Sequence, residues 1–284
     1  MCRFIAYLGV PIAIDKILVK TPYSLMMQSQ HARESEYIVN GDGFGLGWYP
    51  ELEGHKAPAL FASISPAWND QNLLNLARST ATSCFFAHIR AATAGGVSQQ
   101  NCHPFVYDDL MFMHNGNIGG FEKIKRYLRR TLSDEVYDWI KGQTDSEHLC
   151  AALVEALKTE QAPYSPEVIA KAFKTVIDKI ETLKDEHSEH SPTEINAVIT
   201  CGKIMVAVRY SSTKEKSAPS LYVAKGQVTQ EQDVYHISPG GPVESVVIAS
   251  EKFDSSSPWE PISEDSWVLV DESLDVAIKP FSAF

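Results

Sequence analysis

The chain has 284 residues, of which 44% are hydrophobic and 21% charged, the composition of a globule able to build a substantial core. Its formal net charge of −11 excludes a broad nucleic-acid-binding face, because no basic surface is available to release phosphate counterions. The five cysteines, Cys2, Cys84, Cys102, Cys150 and Cys201, form an odd set without a C-x-x-C pair, so no disulfide framework is expected and the compartment reads as reducing and cytoplasmic.

The first predicted element is the strand CRFIAYLG (2–9). The longer run FIAYLGVPIAI has the length of a signal-peptide core, but Gly9-Val10-Pro11 interrupts it and no small-residue cleavage site follows. No other apolar run approaches the ~20 residues that span a bilayer, so no membrane segment is expected. GFGLGWYP, CFFAHIRAA and LMFMHNGNI read as further strands, rich in aromatic and branched residues and bounded by turn formers. Short helices are predicted over QNLLNLARS and FEKIKRYLRR, the second with Phe121, Ile124 and Leu128 inward and its basic residues forming a solvated face.

Two longer helices follow. SEHLCAALVEALK aligns Leu149, Leu153, Ala156 and Leu157, and PEVIAKAFKTVIDKIETLKDE aligns Ile169, Ala172, Phe173, Val176, Ile177 and Ile180. The polar tract KDEHSEHSPTE ends the latter, and its His187 and His190 make a poor zinc site because no further ligands gather around them. INAVITCGKIMVAVRY, SLYVAK, VESVVIAS and SWVLVDESLDVAIKPF then read as strands, with hairpins turning at Cys201-Gly202 and near Glu272-Ser273. Cys84 and Cys201 lie in apolar stretches and read as buried thiols. Strands, then helices, then strands is an α+β arrangement, with no linker or repeat dividing the chain.

Several short stretches could carry chemistry. Cys2 would hold a free α-amine beside its thiol once Met1 is removed, although the same letters suit an ordinary first strand. NGDGFGLGWYP (40–50) lacks the helix that a dinucleotide fingerprint must open, so its alternating glycines mean a strand face without side chains, either for close sheet packing or for a ligand. Arg90 in AHIRAAT is a strand-end charge or a bidentate carboxylate grip. Asn115-Gly116 in MHNGNIGG reads first as a hairpin turn, and second as a pair of oxyanion donors. Thr144-x-x-Glu147 is a capping box, which leaves Asp145 to face solvent or a cationic group. His88, His103 and His114 have a spacing that suits no common metal-ligand set.

Together and in this order, Cys2, DGFGLGWY, HIRAAT, HNGNI and TDSE resemble the class II glutamine amidotransferases, N-terminal-nucleophile hydrolases whose mature chain begins with cysteine. The resemblance continues more weakly to IASEKF and SPWEPI, and is nearest to the short branch that includes the γ-glutamyl hydrolase of ergothioneine biosynthesis and a fungal subunit that breaks down glutathione. It implies a four-layer αββα sandwich of two mostly antiparallel sheets between helices, filling residues 1–284 as one domain. It also implies attack by the Cys2 thiol on a γ-glutamyl amide, with Asn115 and the Gly116 N–H holding the oxyanion. Arg90 would grip the substrate's α-carboxylate and Asp145 its α-ammonium, with Thr93 a further substrate-binding residue. No metal or cofactor is implied. The partner is a small γ-glutamyl molecule, with a partner subunit or a homo-oligomer left open. A glutaminase subunit feeding ammonia to a separate synthase, and a silent regulatory relative, are the alternatives. Ala91 and Ala94 stand where the larger synthase members carry tryptophan and histidine, which argues against their glutamine-covering loop.

Overall fold

Strands with apolar side chains on both faces must be covered twice, and this chain does so with four layers. The computed structural model describes all residues except Met1, Glu36, Glu53, His55, Thr93, Ala94, Gly95 and Ser256. In chain order, β1 (Arg3–Ala13) is followed by α1 (Asp15–Leu18), α2 (Leu25–Gln30), β2 (Phe44–Trp48), β3 (Ala59–Ser63), α3 (Gln71–Ser79) and β4 (Ala81–Ile89). β5 (Phe105–Tyr107) and β6 (Leu110–Asn117) lead into α4 (Phe121–Arg129), α5 (Asp134–Trp139), α6 (Asp145–Leu157) and α7 (Pro166–Glu186). The remaining strands are β7 (Glu194–Thr200), β8 (Met205–Ser211), β9 (Tyr222–Glu231), β10 (Val234–Ser238), β11 (Ser245–Ala249), β12 (Glu260–Pro261), β13 (Ser266–Val270) and β14 (Val276–Pro280).

One sheet has the order β10-β9-β11-β1-β4-β2-β3, with β12 beside β9, and the other β14-β13-β8-β7-β6-β5. Neighbouring strands run antiparallel in both, as in the central pairs β1–β4 and β6–β7. Side-chain alternation sends Ile5, Tyr7, Phe85 and Ala87 toward Ile17, Leu73 and Ala77 of the first helix layer. The opposite face, with Phe4, Ala6 and Phe86, meets Met111, Met113 and Val198 of the second sheet. Beyond that sheet, Phe112, Ile195 and Trp267 pack on Leu149, Phe173 and Ile177 of α6 and α7. The result is the αββα sandwich.

Local rules account for the helix ends. Ser165 accepts a hydrogen bond from Val168 N, and Pro166 occupies the first turn of α7. At the far end His187 stacks on Tyr127 with ring centroids 3.7 Å apart. Thr144 Oγ1 caps α6 by accepting from Glu147 N at 3.2 Å. The reciprocal half of the expected capping box differs: the Glu147 carboxylate reaches back to Lys141 N and Gly142 N at 2.8 and 2.7 Å, closing the turn that enters the helix. The hairpins at 201–204 and 271–275 join β7 to β8 and β13 to β14 as predicted. Cys84 is buried, whereas Cys201 is half-buried at the first of those turns. β1 runs past Gly9 to Ala13, because a register shift between Leu8 and Ile12 accommodates Pro11.

Asn115-Gly116 is not a hairpin turn. Both lie within β6, opposite Asn196 and Ile195 of β7. The neighbouring ladder overrides the local turn preference, and Gly116 is required for a different reason: a Cβ there would collide with the carbonyl oxygen of Glu194 and come 2.6 Å from His114 Nε2.

Candidate active site

Cys2 precedes β1 on the side that continues into Phe4, so its side chain belongs to the layer between the sheets. Register pairs Arg3 with Ile89, which brings Cys2 to the end of β4. There Ala91 N donates to Cys2 Sγ at 3.4 Å, and the thiol lies 3.5 Å from Ala91 O. Burial pushes the Cys2 thiol up from its ordinary value, against the lowering effects of the Ala91 N–H, Arg90 and Arg3. The resting group is therefore a thiol that needs a base to become a nucleophile.

The segment beneath the sulfur is fixed by the glycine-rich stretch. Arg90 N donates to Gly43 O at 2.9 Å, Asp42 N to Arg90 O at 3.0 Å, and Ala92 N to Asp42 Oδ2 at 2.8 Å. Gly43 has φ +114°, a conformation that favours glycine. Arg90 is buried, and its Nη1 donates to Gly96 O at 2.9 Å. Asn101 Nδ2 donates to the same oxygen at 3.2 Å while Asn101 Oδ1 accepts from Gln143 N at 3.1 Å, linking this loop to the approach to α6. Thr93 lies outside the described residues.

β6 packs against both β1 and β4 across the interlayer space. Asn115 shares a face with Met111 and Met113, so its side chain enters that space, and its buried Nδ2 has no hydrogen-bond partner among the described residues. Asp145 is also buried. Its Oδ2 accepts from Ile118 N at 2.8 Å and its Oδ1 from Ser146 N at 2.9 Å, which ties the first turn of α6 to the end of β6. Asp145 therefore does not face solvent. The structure thus joins Cys2 to the Arg90–Ala91 segment, and Asp145 to the strand end that carries Asn115 and Gly116.

Three buried histidines surround this region. His88 and His103 stack with centroids 4.2 Å apart, and His114 Nδ1 lies 2.9 Å from Ser146 Oγ. Burial, then the Arg90 and Arg3 cations, push His88 down to about 3, and burial also holds His103 well below the usual imidazole range. They are neutral polar packing. Among the described residues no group of three or more His, Cys, Asp or Glu side chains could hold a metal ion.

The family described as glutamine amidotransferases class-II matches residues 16–276. The chain belongs to the class II glutamine amidotransferases. It is 39% identical over 246 residues to the probable glutamine amidotransferase DUG3 of Saccharomyces cerevisiae, covering 80% of this chain and 68% of that protein. It is 28% identical over 118 residues to the γ-glutamyl-hercynylcysteine sulfoxide hydrolase of Mycobacterium tuberculosis, covering 41% of this chain and 49% of that one. The solved glutamine aminotransferase class-II domain protein of Silicibacter pomeroyi superposes with a TM-score of 0.67 at 25% identity, over 99% of both chains. The glutamine phosphoribosylpyrophosphate amidotransferase of B. subtilis, at 13% identity and TM-score 0.62, shares the fold over 50% of its length.

As a class II amidotransferase the chain is an amide-bond hydrolase, and two buried groups that hold its N-terminal segment carry no local signal in the sequence. Arg3 is fully buried, donates through Nε to Cys2 O at 2.7 Å, and pairs through Nη1 with Glu251 Oε1 at 3.2 Å. The Glu251 carboxylate also accepts from Arg33 N at 3.0 Å and Glu34 N at 2.9 Å. Glu251 stands within IASEKF, but its partner lies 248 positions away and no periodicity links them.

Proposed function

We propose that this amidotransferase hydrolyses the side-chain amide of a γ-glutamyl compound, glutamine or a γ-linked small molecule or peptide, through a thioester at Cys2. Removal of Met1 would expose the Cys2 α-amine, whose ordinary pKa of about 8 suits proton exchange at neutral pH. The amine takes the thiol proton as sulfur adds to the γ-carbonyl carbon, and the developing oxyanion is met by Asn115 Nδ2 and the Gly116 N–H. Collapse of the intermediate breaks the C–N bond, the protonated amine returns its proton to the leaving nitrogen, and water then hydrolyses the thioester to glutamate. Arg90 and Thr93 bind the α-carboxylate, and Asp145 the α-ammonium, so the substrate needs an unblocked glutamyl head.

The observation that carries this reading is the docking of Cys2 Sγ on the Ala91 N–H, next to Arg90, at the end of an interlayer space that also holds Asn115 Nδ2, a donor without a partner among the described residues. The names of the relatives support the same substrate class, since one is a hydrolase of a γ-glutamyl conjugate. The test is glutamate release from a panel of γ-glutamyl compounds, with intact-mass measurement of the resting and substrate-quenched protein. The expected result is a chain lacking Met1, a γ-glutamyl adduct on Cys2, and no turnover by Cys2→Ala. Turnover by Cys2→Ala, or activity in a chain that retains Met1, refutes the mechanism.

A further inference from the structure

The basic run on α4 does more than solvate a helix. Lys125, Arg126, Arg129 and Arg130 line one wall of a cavity of about 610 Å³ whose other wall comes from α5 and the residues before it. That volume is in the range of small-molecule sites. Four cations in one cleft contrast with a chain whose net charge is −11. Two carboxylates also line it, Glu122 and Asp134. Glu122 lies 3.8 Å from Lys125 Nζ. Among the described residues, none of the three arginines has a carboxylate within ion-pair distance.

One of the arginines is held in advance. Arg129 Nε donates to His148 Nε2 at 2.8 Å, and His148 Nδ1 donates to the Thr144 carbonyl at 2.7 Å, which fixes the ring as an acceptor toward Arg129. Burial, reinforced by the Arg129 and Lys125 cations, pushes His148 down to about 4, so the ring remains a neutral acceptor at physiological pH. The Arg129 guanidinium also lies over the Tyr137 ring, 5.6 Å from its centroid. Its terminal nitrogens have no hydrogen bond to the protein among the described residues. A planar donor fork fixed at its inner nitrogen, beside two further guanidiniums, suits phosphate or carboxylate oxygens bound in pairs.

We infer that the α4–α5 cleft is a binding site for a small multivalent anion, one carrying two or more phosphate or carboxylate groups. The inference is independent of the Cys2 mechanism. Isothermal titration of the full chain with pyrophosphate and with citrate, each against sodium chloride of matched ionic strength, tests it and identifies which oxyanion is preferred. The variants are Arg126→Ala/Arg130→Ala and, as a charge-matched control on the same helical layer, Lys123→Ala/Lys174→Ala, with circular dichroism to verify folding. Saturable binding of either anion, weakened at least tenfold in the arginine variant and less than threefold in the lysine control, supports the site. Binding of neither anion, or equal weakening in both folded variants, overturns it. Amidase activity is measured in parallel and stays at the parent level in the arginine variant.

Discussion

The buried Arg3–Glu251 pair gives the most decisive test of how this fold holds its N-terminus. Glu251→Ala removes the counter-charge of a fully buried guanidinium and, with it, the acceptor of the Arg33 and Glu34 N–H groups. Breaking a buried pair from one side costs about 3–5 kcal/mol, because the remaining charge is left uncompensated. The two freed amides lie in a turn that water can reach, so they add less than another buried pair would. Glu251→Gln keeps an oxygen of the right shape, and its expected loss is about 1.5–3 kcal/mol, the worth of hydrogen bonds to a charged group. Urea unfolding of parent, Glu251→Ala, Glu251→Gln, Arg3→Met and the Arg3→Met/Glu251→Ala double variant measures these losses and their coupling. A loss under 1 kcal/mol for Glu251→Ala, or additive losses in the double variant, would refute the argument. Because Arg3 Nε also holds Cys2 O, the same variant should lose activity before it unfolds.

Three further outcomes follow from the geometry. Asn115→Ala should lower kcat about 10²–10³-fold if Nδ2 is an oxyanion donor, with little change in unfolding midpoint, because that nitrogen makes no hydrogen bond among the described residues; equal losses in both would contradict the assignment. Gly45→Ala would drive a Cβ into the His103 carbonyl oxygen, so it should destabilise by at least the 1–3 kcal/mol usual for overpacking, read as a lower urea midpoint. His148 is held neutral down to about pH 4 in the fold but takes a proton near pH 6.5 when unfolded. The unfolded state therefore binds more protons between those values, and the contribution of this group is complete above pH 6.5 and is lost as pH falls toward 4. His148→Gln should flatten the stability-versus-pH slope by up to about 1.4 kcal/mol per pH unit in that window, and an unchanged slope would show that the ring is protonated in the fold.

How much of this was readable from the sequence depended on the range of the signal. The α7 helix matched its predicted span, because a strong 3.6-residue period, a serine cap and Pro166 all agree locally. The grouping of strands on either side of a helical block shows the α+β class, whereas the αββα order comes only with the family resemblance, because long-range pairing decides which sheet each strand joins. By contrast, β3 with its half-exposed ALFAS, and the outer strand β10, gave no clear pattern, because edge strands lack two packed faces. At Asn115-Gly116 the local turn preference misled: seven register pairs with β7 outweigh a dipeptide preference. Cys2, Arg90 and Asp145 were legible as chemistry only in combination. Arg3, Glu251 and Asn101 were not, because their meaning lies in contacts between distant segments.

The alternating glycines of β2 connect these observations. Gly45 and Gly47 leave one strand face bare, and a side chain at either would strike His103 or Pro104, just before β5, or Met111 of β6 in the opposite sheet. The two sheets can therefore approach closely along β2, while β1, β4 and β6 beside it keep Phe4, His88 and Asn115 in the interlayer space. That space is apolar around Ala6, Phe86 and Met113 and becomes polar toward the Cys2 end. A thiol at this boundary is desolvated enough to stay protonated at rest, yet lies beside Arg90 and the Ala91 N–H, both of which favour its anion. Close packing and the proposed nucleophile chemistry of Cys2 would thus be two results of one arrangement. A bulky residue at Gly47 should raise the apparent pKa of thiol alkylation as well as lower stability, and a stability loss with an unchanged alkylation profile would separate the two.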